Sequence, residues 1–132
     1  MDTKRLGRWG EALTAEYLRR AGYKILTTGY RCQMGEIDLI VQRDEVIAFV
    51  EVKTRRNASF GLGREAVDRR KQAHLYAAAC HYMMEHPAEG MNLRFDVAEI
   101  VALQGTATSN PEVHYLENAF LVAEWTESYT PF

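Results

Sequence analysis

Three charged residues lie inside two segments that otherwise have the composition of buried β-strands. The stretch "GEIDLIVQRDEVIAFVEVKTR" covers residues 35–55 and holds Asp38, Glu51 and Lys53 among β-branched and aliphatic residues. A buried charge is costly unless it is paired or binds a metal ion. Two carboxylates and an ammonium in such strands therefore indicate either a structural ion-pair cluster or a reactive site.

The two segments are expected to form a hairpin whose turn is centred between Asp44 and Glu45. In that register Asp38 faces Glu51, Glu36 faces Lys53, and all four charged side chains point to one side of the sheet. A three-residue loop would shift the register and break this arrangement. The opposite side is expected to be apolar and to carry the core, with Ile37, Leu39, Val41, Val50 and Val52.

Two carboxylates that face each other across strands repel, at a cost of roughly 0.2 to 1 kcal/mol. An ion-pair cluster of Asp38, Glu51, Lys53 and Glu36 would offset this repulsion. Mg²⁺ (or Mn²⁺) would offset it better, because Mg²⁺ binds one or two carboxylates together with waters and phosphate oxygens. Lys53 beside such a metal would orient or deprotonate a water and stabilise charge on a phosphate, a constellation suited to phosphodiester hydrolysis.

Charge is unevenly distributed along the 132 residues, although the net charge is only −2. Residues 53–84 hold seven basic and two acidic residues, whereas residues 85–132 hold one basic and eight acidic residues. A polyanion would meet the middle segment, and a solvated loop and helix face is the alternative. The residues expected to bind nucleic-acid phosphates are Arg55, Arg56, Arg69, Arg70 and Lys71.

The order of elements is expected to be α-β-β-β-α-β-β in a single domain over residues 1–132. The first helix covers 3–21 with an apolar stripe of Leu6, Trp9, Leu13 and Tyr17, and Gly22 ends it. The long helix from Arg64 to His86 is expected to carry a face of small residues that includes Ala66, Ala73, Ala77, Cys80 and Met84. The expected strands are 23–32, 36–42, 46–53, 93–103 and 113–122, and "NASFGLG" is a loop. This order predicts an α/β fold with a mixed sheet flanked by helices.

Five motifs resemble those of a bacterial family of predicted endonucleases: "GRWGEALTAEYLRRAGYKIL", "GEIDLI", "FVEVKTRR", "FG" and "RFDV". That family lies within the PD-(D/E)xK superfamily, which has the fold of restriction endonucleases and archaeal Holliday-junction resolvases. The resemblance covers most of the chain and weakens after about residue 101. Glu-x-Lys alone is a weak signal, but with an upstream "GEID", apolar flanks and a helical glutamate it is specific.

The resemblance implies metal ligation by Asp38 and Glu51, with the carbonyl of Val52 as a third protein oxygen, and makes Lys53 the catalytic lysine. Glu11 matches the helical glutamate of the resolvase branch, but the helical pattern places it on a flank, where a capping or solvated role is the alternative. Asp96 in "RFDV" belongs to the resemblance without a derivable role, and a structural role at the end of a strand is its default interpretation.

The resemblance thus implies a restriction-endonuclease-like fold and a Mg²⁺-dependent DNA endonuclease acting on branched or flap DNA in repair or recombination, as a possible homodimer. The N-terminus lacks the apolar core of a signal peptide, no run reaches membrane-spanning length, and the two cysteines lack metal spacing, which together suggest a cytoplasmic protein without a membrane partner. Two alternatives are a non-catalytic nucleic-acid-binding accessory protein and an interaction module that uses the acidic tail, residues 112–132.

Overall fold

The computed structural model describes residues 3–56 and 68–120, which form one five-stranded sheet with a helix on each face. The strand order is β1-β2-β3-β4-β5; β3 and β4 are parallel, and the other neighbours are antiparallel. The expected order α-β-β-β-α-β-β and the expected mixed sheet are confirmed. The bounds are α1 Thr3–Arg20, β1 Lys24–Cys32, β2 Gly35–Arg43, β3 Val46–Arg55, α2 Arg69–Glu85, β4 Asn92–Val101 and β5 Val113–Leu116.

The hairpin of β2 and β3 has the predicted register. Pairing runs from Arg43↔Val46 to Leu39↔Val50, which leaves a two-residue turn. Asp44 in this turn has φ 53°, a left-handed conformation that aspartate tolerates better than most residues. Because the register holds, Asp38 and Glu51 are the next residues beyond the last pair of the ladder.

Both faces of the sheet are apolar, which corrects the expectation that only the face without the charges would be. Ile40, Ile47 and Phe49 share a face with the charged residues and pack under α2. The other face packs under α1 and includes Leu39, Val41, Val50 and Val52, as expected. Ile37 packs with the α2 cluster instead, and it pairs with Tyr30 of β1, which packs against the same cluster.

The first helix buries a stripe shifted by about one residue from the expected one. Its buried residues are Leu6, Gly10, Thr14, Ala15 and Leu18, whereas Tyr17 is 42% exposed. A Cβ on Gly10 would lie 2.0 Å from Thr54 Oγ1, so α1 and β3 approach too closely for a side chain there. The close approach of α1 to β3 requires small residues at the contact, so Gly10 faces the sheet in place of Trp9, and the buried stripe shifts with it. Gly22, at φ 91°, ends the helix as predicted.

The second helix begins later than expected. Asp68 is its N-cap, with extended backbone and a side chain that accepts a hydrogen bond from the amide of Lys71 at 2.8 Å, so α2 begins at Arg69. The small-residue face is wrong in part, because Ala77 is buried but Met84 is 62% exposed. Ala66 and the "NASFGLG" loop lie outside the described residues. The buried face consists of Leu75, Ala77, Ala78, Ala79 and Tyr82.

Strands β4 and β5 are both shorter than expected, and β5 ends at Leu116 rather than near residue 122. A polar network near this end explains the position of Asp96, which is 1% exposed. Its carboxylate accepts hydrogen bonds from the Arg94 guanidinium (Nε at 2.9 Å), from Tyr115 Oη at 2.5 Å and from the amide of Asn118 at 3.0 Å. Asp96 thus has a structural role, as expected, but it lies in the middle of β4 and not at the end of a strand.

Candidate functional site

Asp38 and Glu51 lie where the ladder between β2 and β3 ends. The last backbone pair between the two strands is Leu39 with Val50. Beyond it, the Val52 N–H of β3 donates a hydrogen bond to the side chain of Asp38 on β2, with 2.8 Å to Oδ2. Asp38 is half-buried, and Glu51 is 6% exposed. The hairpin therefore holds two carboxyl groups together at a fork in the sheet.

The two carboxyl groups interact electrostatically, and each affects the pKa of the other. Burial, and then the negative charge of Asp38, raise the pKa of Glu51 from 4.5 to about 7, although Lys71 and Lys53 act in the opposite direction. Burial also raises the pKa of Asp38, and the hydrogen bond from Val52 opposes that rise. The pair is consequently held at an energetic cost when both groups are ionised, which is the situation that a cation would relieve.

Lys71 reaches this pair from the first turn of α2. Its Nζ lies 3.5 Å from Glu51 Oε2, and the Lys71 side chain is 40% exposed while that of Glu51 is 7% exposed. Glu51 Oε2 is buried and accepts no hydrogen bond within residues 3–56 and 68–120. The sequence predicted Lys71 to be a phosphate-binding residue and did not predict this contact. The one available signal was Asp68: recognising it as the N-cap would have fixed which residues of α2 face the sheet.

Glu11, on α1, lies within electrostatic reach of Asp38, one member of the pair. Burial, followed by the charges of Asp38 and Glu36, raises its pKa from 4.5 to about 7, and Arg8 opposes the rise. Glu11 is eight residues into α1, too far from its start to cap it. Its electrostatic contact with Asp38 places Glu11 at the edge of the site.

Lys53 is half-buried on β3, two residues after Glu51, and its charge reaches that carboxyl group. In the parallel register its neighbour on β4 is Glu99, which is 3% exposed. Glu99 Oε1 makes no hydrogen bond within the described ranges. Glu99 has no role that the sequence alone would predict, because one acidic residue in an alternating strand carries no signal until its neighbouring strand is known.

The predicted ion-pair cluster is formed only in part. Glu36 is exposed and pairs at 3.5 Å with Arg31, its cross-strand neighbour on β1. The expected facing of Glu36 and Lys53 lies past the end of the ladder, where β2 pairs with β1. Lys71, which was not part of the predicted cluster, forms the ion pair with Glu51 instead.

The other basic residues predicted to bind phosphates surround this region. Arg69 and Arg70 are exposed in the first turn of α2, and Arg56 is exposed after β3. Arg55 is half-buried, and its Nε is buried without a hydrogen bond in the part of the chain that the structure describes. These positions are compatible with phosphate contacts, which stay predictions.

The donor set fits a hard divalent cation. Across the described ranges, no three His, Cys, Asp or Glu side chains converge as a complete metal cage. Asp38 and Glu51 nevertheless provide two adjoining carboxylates, and Glu51 Oε2 is buried without a hydrogen bond from any residue that the structure describes. Mg²⁺ commonly binds to one or two carboxylates and completes its shell with waters and phosphate oxygens.

Together, the mixed sheet, the two flanking helices and the carboxylate pair at the fork define an α/β protein consistent with a restriction-endonuclease-like fold. Of the helices described, none has the length and apolarity needed to cross a membrane.

The family model described as "Uncharacterised protein family UPF0102" matches residues 10–100, and the chain belongs to this family. A UPF0102 protein of Alkaliphilus metalliredigens is 42% identical over 118 residues, which cover 89% of this chain and 99% of the relative. One from Caldicellulosiruptor bescii is 46% identical over 101 residues, covering 76% of this chain and 85% of the relative.

Proposed function

We propose that the protein is a metal-dependent nuclease of the PD-(D/E)xK superfamily that hydrolyses phosphodiester bonds in DNA. The observation that carries this proposal is the pair formed by Asp38 and Glu51 at the fork. Within the described residues, Glu51 Oε2 is buried without a hydrogen bond, with Lys71 Nζ 3.5 Å away and Lys53 within electrostatic reach. Structural ion pairs in proteins satisfy their buried oxygens. A buried carboxylate pair that is left incomplete is better explained by an exogenous cation.

Each residue has a defined task in this proposal. Asp38, Glu51 and the carbonyl of Val52 would hold Mg²⁺ or Mn²⁺, which when bound polarises a phosphate oxygen and lowers the pKa of water. Val52 would also keep Asp38 oriented through its N–H. Lys53 would orient the attacking water and stabilise charge that develops on the phosphate.

Lys71 and Glu11 would act around this centre. Lys71 balances the charge of Glu51 in the free protein and would bind a phosphate oxygen of the substrate. Glu11 would hold a water of the metal shell or accept its proton, because its pKa of about 7 lies near neutral pH.

The proposed substrates are branched or flap DNAs of repair or recombination. This choice rests on the resemblance to archaeal resolvases, as does the proposed homodimer. Arg55, Arg56, Arg69 and Arg70 would bind backbone phosphates, which provide affinity without reading sequence.

The test is cleavage of labelled duplex, single-stranded, flap and four-way-junction DNA with Mg²⁺ or Mn²⁺. We expect cleavage that requires metal and falls at least about 100-fold in Glu51→Gln and in Lys53→Met. Glu16→Gln is the matched control, since Glu16 is exposed on α1 and pairs only at the surface with Arg20. Activity of equal size in wild type and Glu51→Gln would overturn the proposal.

A further inference from the structure

A basic groove runs between α1 and β1, and it is lined by Glu11, which interacts electrostatically with Asp38. Lys4, Arg8, Glu11 and Arg19 follow one another on a single face of α1, at helical spacings. They line two adjoining cavities of about 600 and 380 Å³. Both cavities include Arg8, Glu11 and Gly29, so they form one continuous groove.

The groove is rich in positive charge. Lys4, Arg8, Arg19 and Arg31 line it against two carboxylates, those of Glu11 and Glu36. Arg31 does pair with Glu36 at 3.5 Å, but their side chains are 79% and 46% exposed. An ion pair this exposed contributes little, so Arg31 can exchange Glu36 for a phosphate at small cost.

The floor of the groove is open. Gly29 on β1 has φ 60°, and a Cβ placed there would meet no atom of the described residues within 4 Å. The Cα positions of Lys4 and Arg19 are separated by about 22 Å along the helix axis, given a rise of about 1.5 Å per residue. This length accommodates several consecutive phosphates of one strand, which are spaced about 3.4 Å apart along a duplex axis.

Glu11 connects the groove to the site, since it lines both cavities and interacts with Asp38. The groove lies on the α1 face, whereas Lys71, Arg69 and Arg70 approach from α2 on the other face. A strand whose phosphate reached the fork would therefore meet cations on both sides of it.

We propose that this groove binds the sugar-phosphate backbone of a nucleic-acid strand on one side of the phosphate at the fork, through Lys4, Arg8, Arg19 and Arg31. This inference rests on the proposed nuclease function and adds the path of the substrate strand. It also assigns phosphate contacts to residues of the N-terminal helix and of β1, away from the basic segment that follows β3.

The experiment measures binding of a fluorescein-labelled four-way junction and a labelled 30-nucleotide single strand, at several salt concentrations in EDTA. All variants carry Glu51→Gln, so that no cleavage occurs. Arg19→Ala is compared with Arg20→Ala, because Arg20 is the adjacent residue, has the same charge and pairs with Glu16 outside the groove. A double variant, Arg8→Ala with Arg31→Ala, removes two groove cations, and thermal melting verifies folding.

We expect the double variant to bind at least about 10-fold more weakly and to lower the slope of log affinity against log salt by about 1.5. Arg19→Ala should lower the slope by somewhat less than 1, and Arg20→Ala should leave it unchanged.

Two results would overturn the inference, and they differ in what they say of the nuclease. If the groove variants bind like the parent while Arg69→Ala with Arg70→Ala weakens binding, the groove is not the strand path and the nuclease proposal stands. If the parent protein itself binds neither DNA, both proposals fail.

Discussion

Glu51 should destabilise the metal-free protein at neutral pH, and replacing it with glutamine should therefore stabilise the fold. Folding raises the pKa of Glu51 from 4.5 to about 7. A raised carboxyl pKa means that the folded state binds the proton more tightly, so stability is full below about pH 4.5 and is lost as pH rises through 7. A shift of about 2.5 pH units corresponds to about 3 kcal/mol.

The assay is urea unfolding of wild type and Glu51→Gln in EDTA at pH 5, 6, 7 and 8. We expect the variant to gain stability relative to wild type by less than about 1 kcal/mol at pH 5 and by about 3 kcal/mol at pH 8. For a domain of this size the larger value is about 10 °C in Tm. Glu16→Gln should show no such trend, because its carboxylate is an exposed partner of Arg20.

Metal should nearly abolish this difference in stability at pH 8. Saturating Mg²⁺ should stabilise wild type by about 2.7 kcal/mol at 100 times its Kd and leave Glu51→Gln nearly unchanged. Equal stability of the two proteins at pH 8 without metal, or a difference that does not shrink toward pH 5, would refute the reasoning.

Three further predictions concern the packing and charge around the site. Gly10→Ala should lower the free energy of unfolding in urea by about 1 to 3 kcal/mol, since its Cβ would lie 2.0 Å from Thr54 Oγ1. Gly7→Ala, whose Cβ would meet no described atom within 4 Å, should raise it by about 1 kcal/mol. Equal effects of the two substitutions would contradict the packing. Asp96→Asn should lower the free energy of unfolding by about 3 to 5 kcal/mol, because it leaves Arg94 without its buried partner. Glu117→Gln removes the exposed partner of Arg94, at 3.6 Å, and should lower it by at most about 1 kcal/mol. Similar losses in the two variants would contradict the network. Lys71→Met should raise the pKa of Glu51 further, because the lysine charge favours the ionised carboxylate. Mn²⁺ binds the ionised form, so the midpoint pH of Mn²⁺ binding in calorimetry should move upward. An unchanged midpoint would show that Lys71 does not act on Glu51.

The hairpin of the site could be predicted from sequence because its information is local. A two-residue turn at Asp44 and Glu45 fixes the register, and the register brings Asp38 next to Glu51. Gly22 ends the first helix for an equally local reason, its positive φ. These features depend on a few neighbouring residues and on the period of a strand or helix.

The features that the sequence did not reveal depend on which elements become neighbours. Lys71 reaches Glu51 only because α2 packs over β3, and Glu99 lies beside Lys53 only because β4 pairs in parallel with that strand. The buried stripe of α1 shifts because Gly10 contacts Thr54, a residue 44 positions away. Long-range packing of this kind leaves no periodic signal in a single sequence.

The most direct test of the central claim is the single-turnover cleavage rate of the preferred DNA as a function of Mn²⁺ concentration, for wild type and Asp38→Asn. If Asp38 and Glu51 hold the catalytic cation, the wild-type rate rises with Mn²⁺ and saturates, and the variant is at least about 100-fold slower at the wild-type saturating concentration. A variant that cleaves at the wild-type rate with the same dependence on Mn²⁺ would contradict the claim.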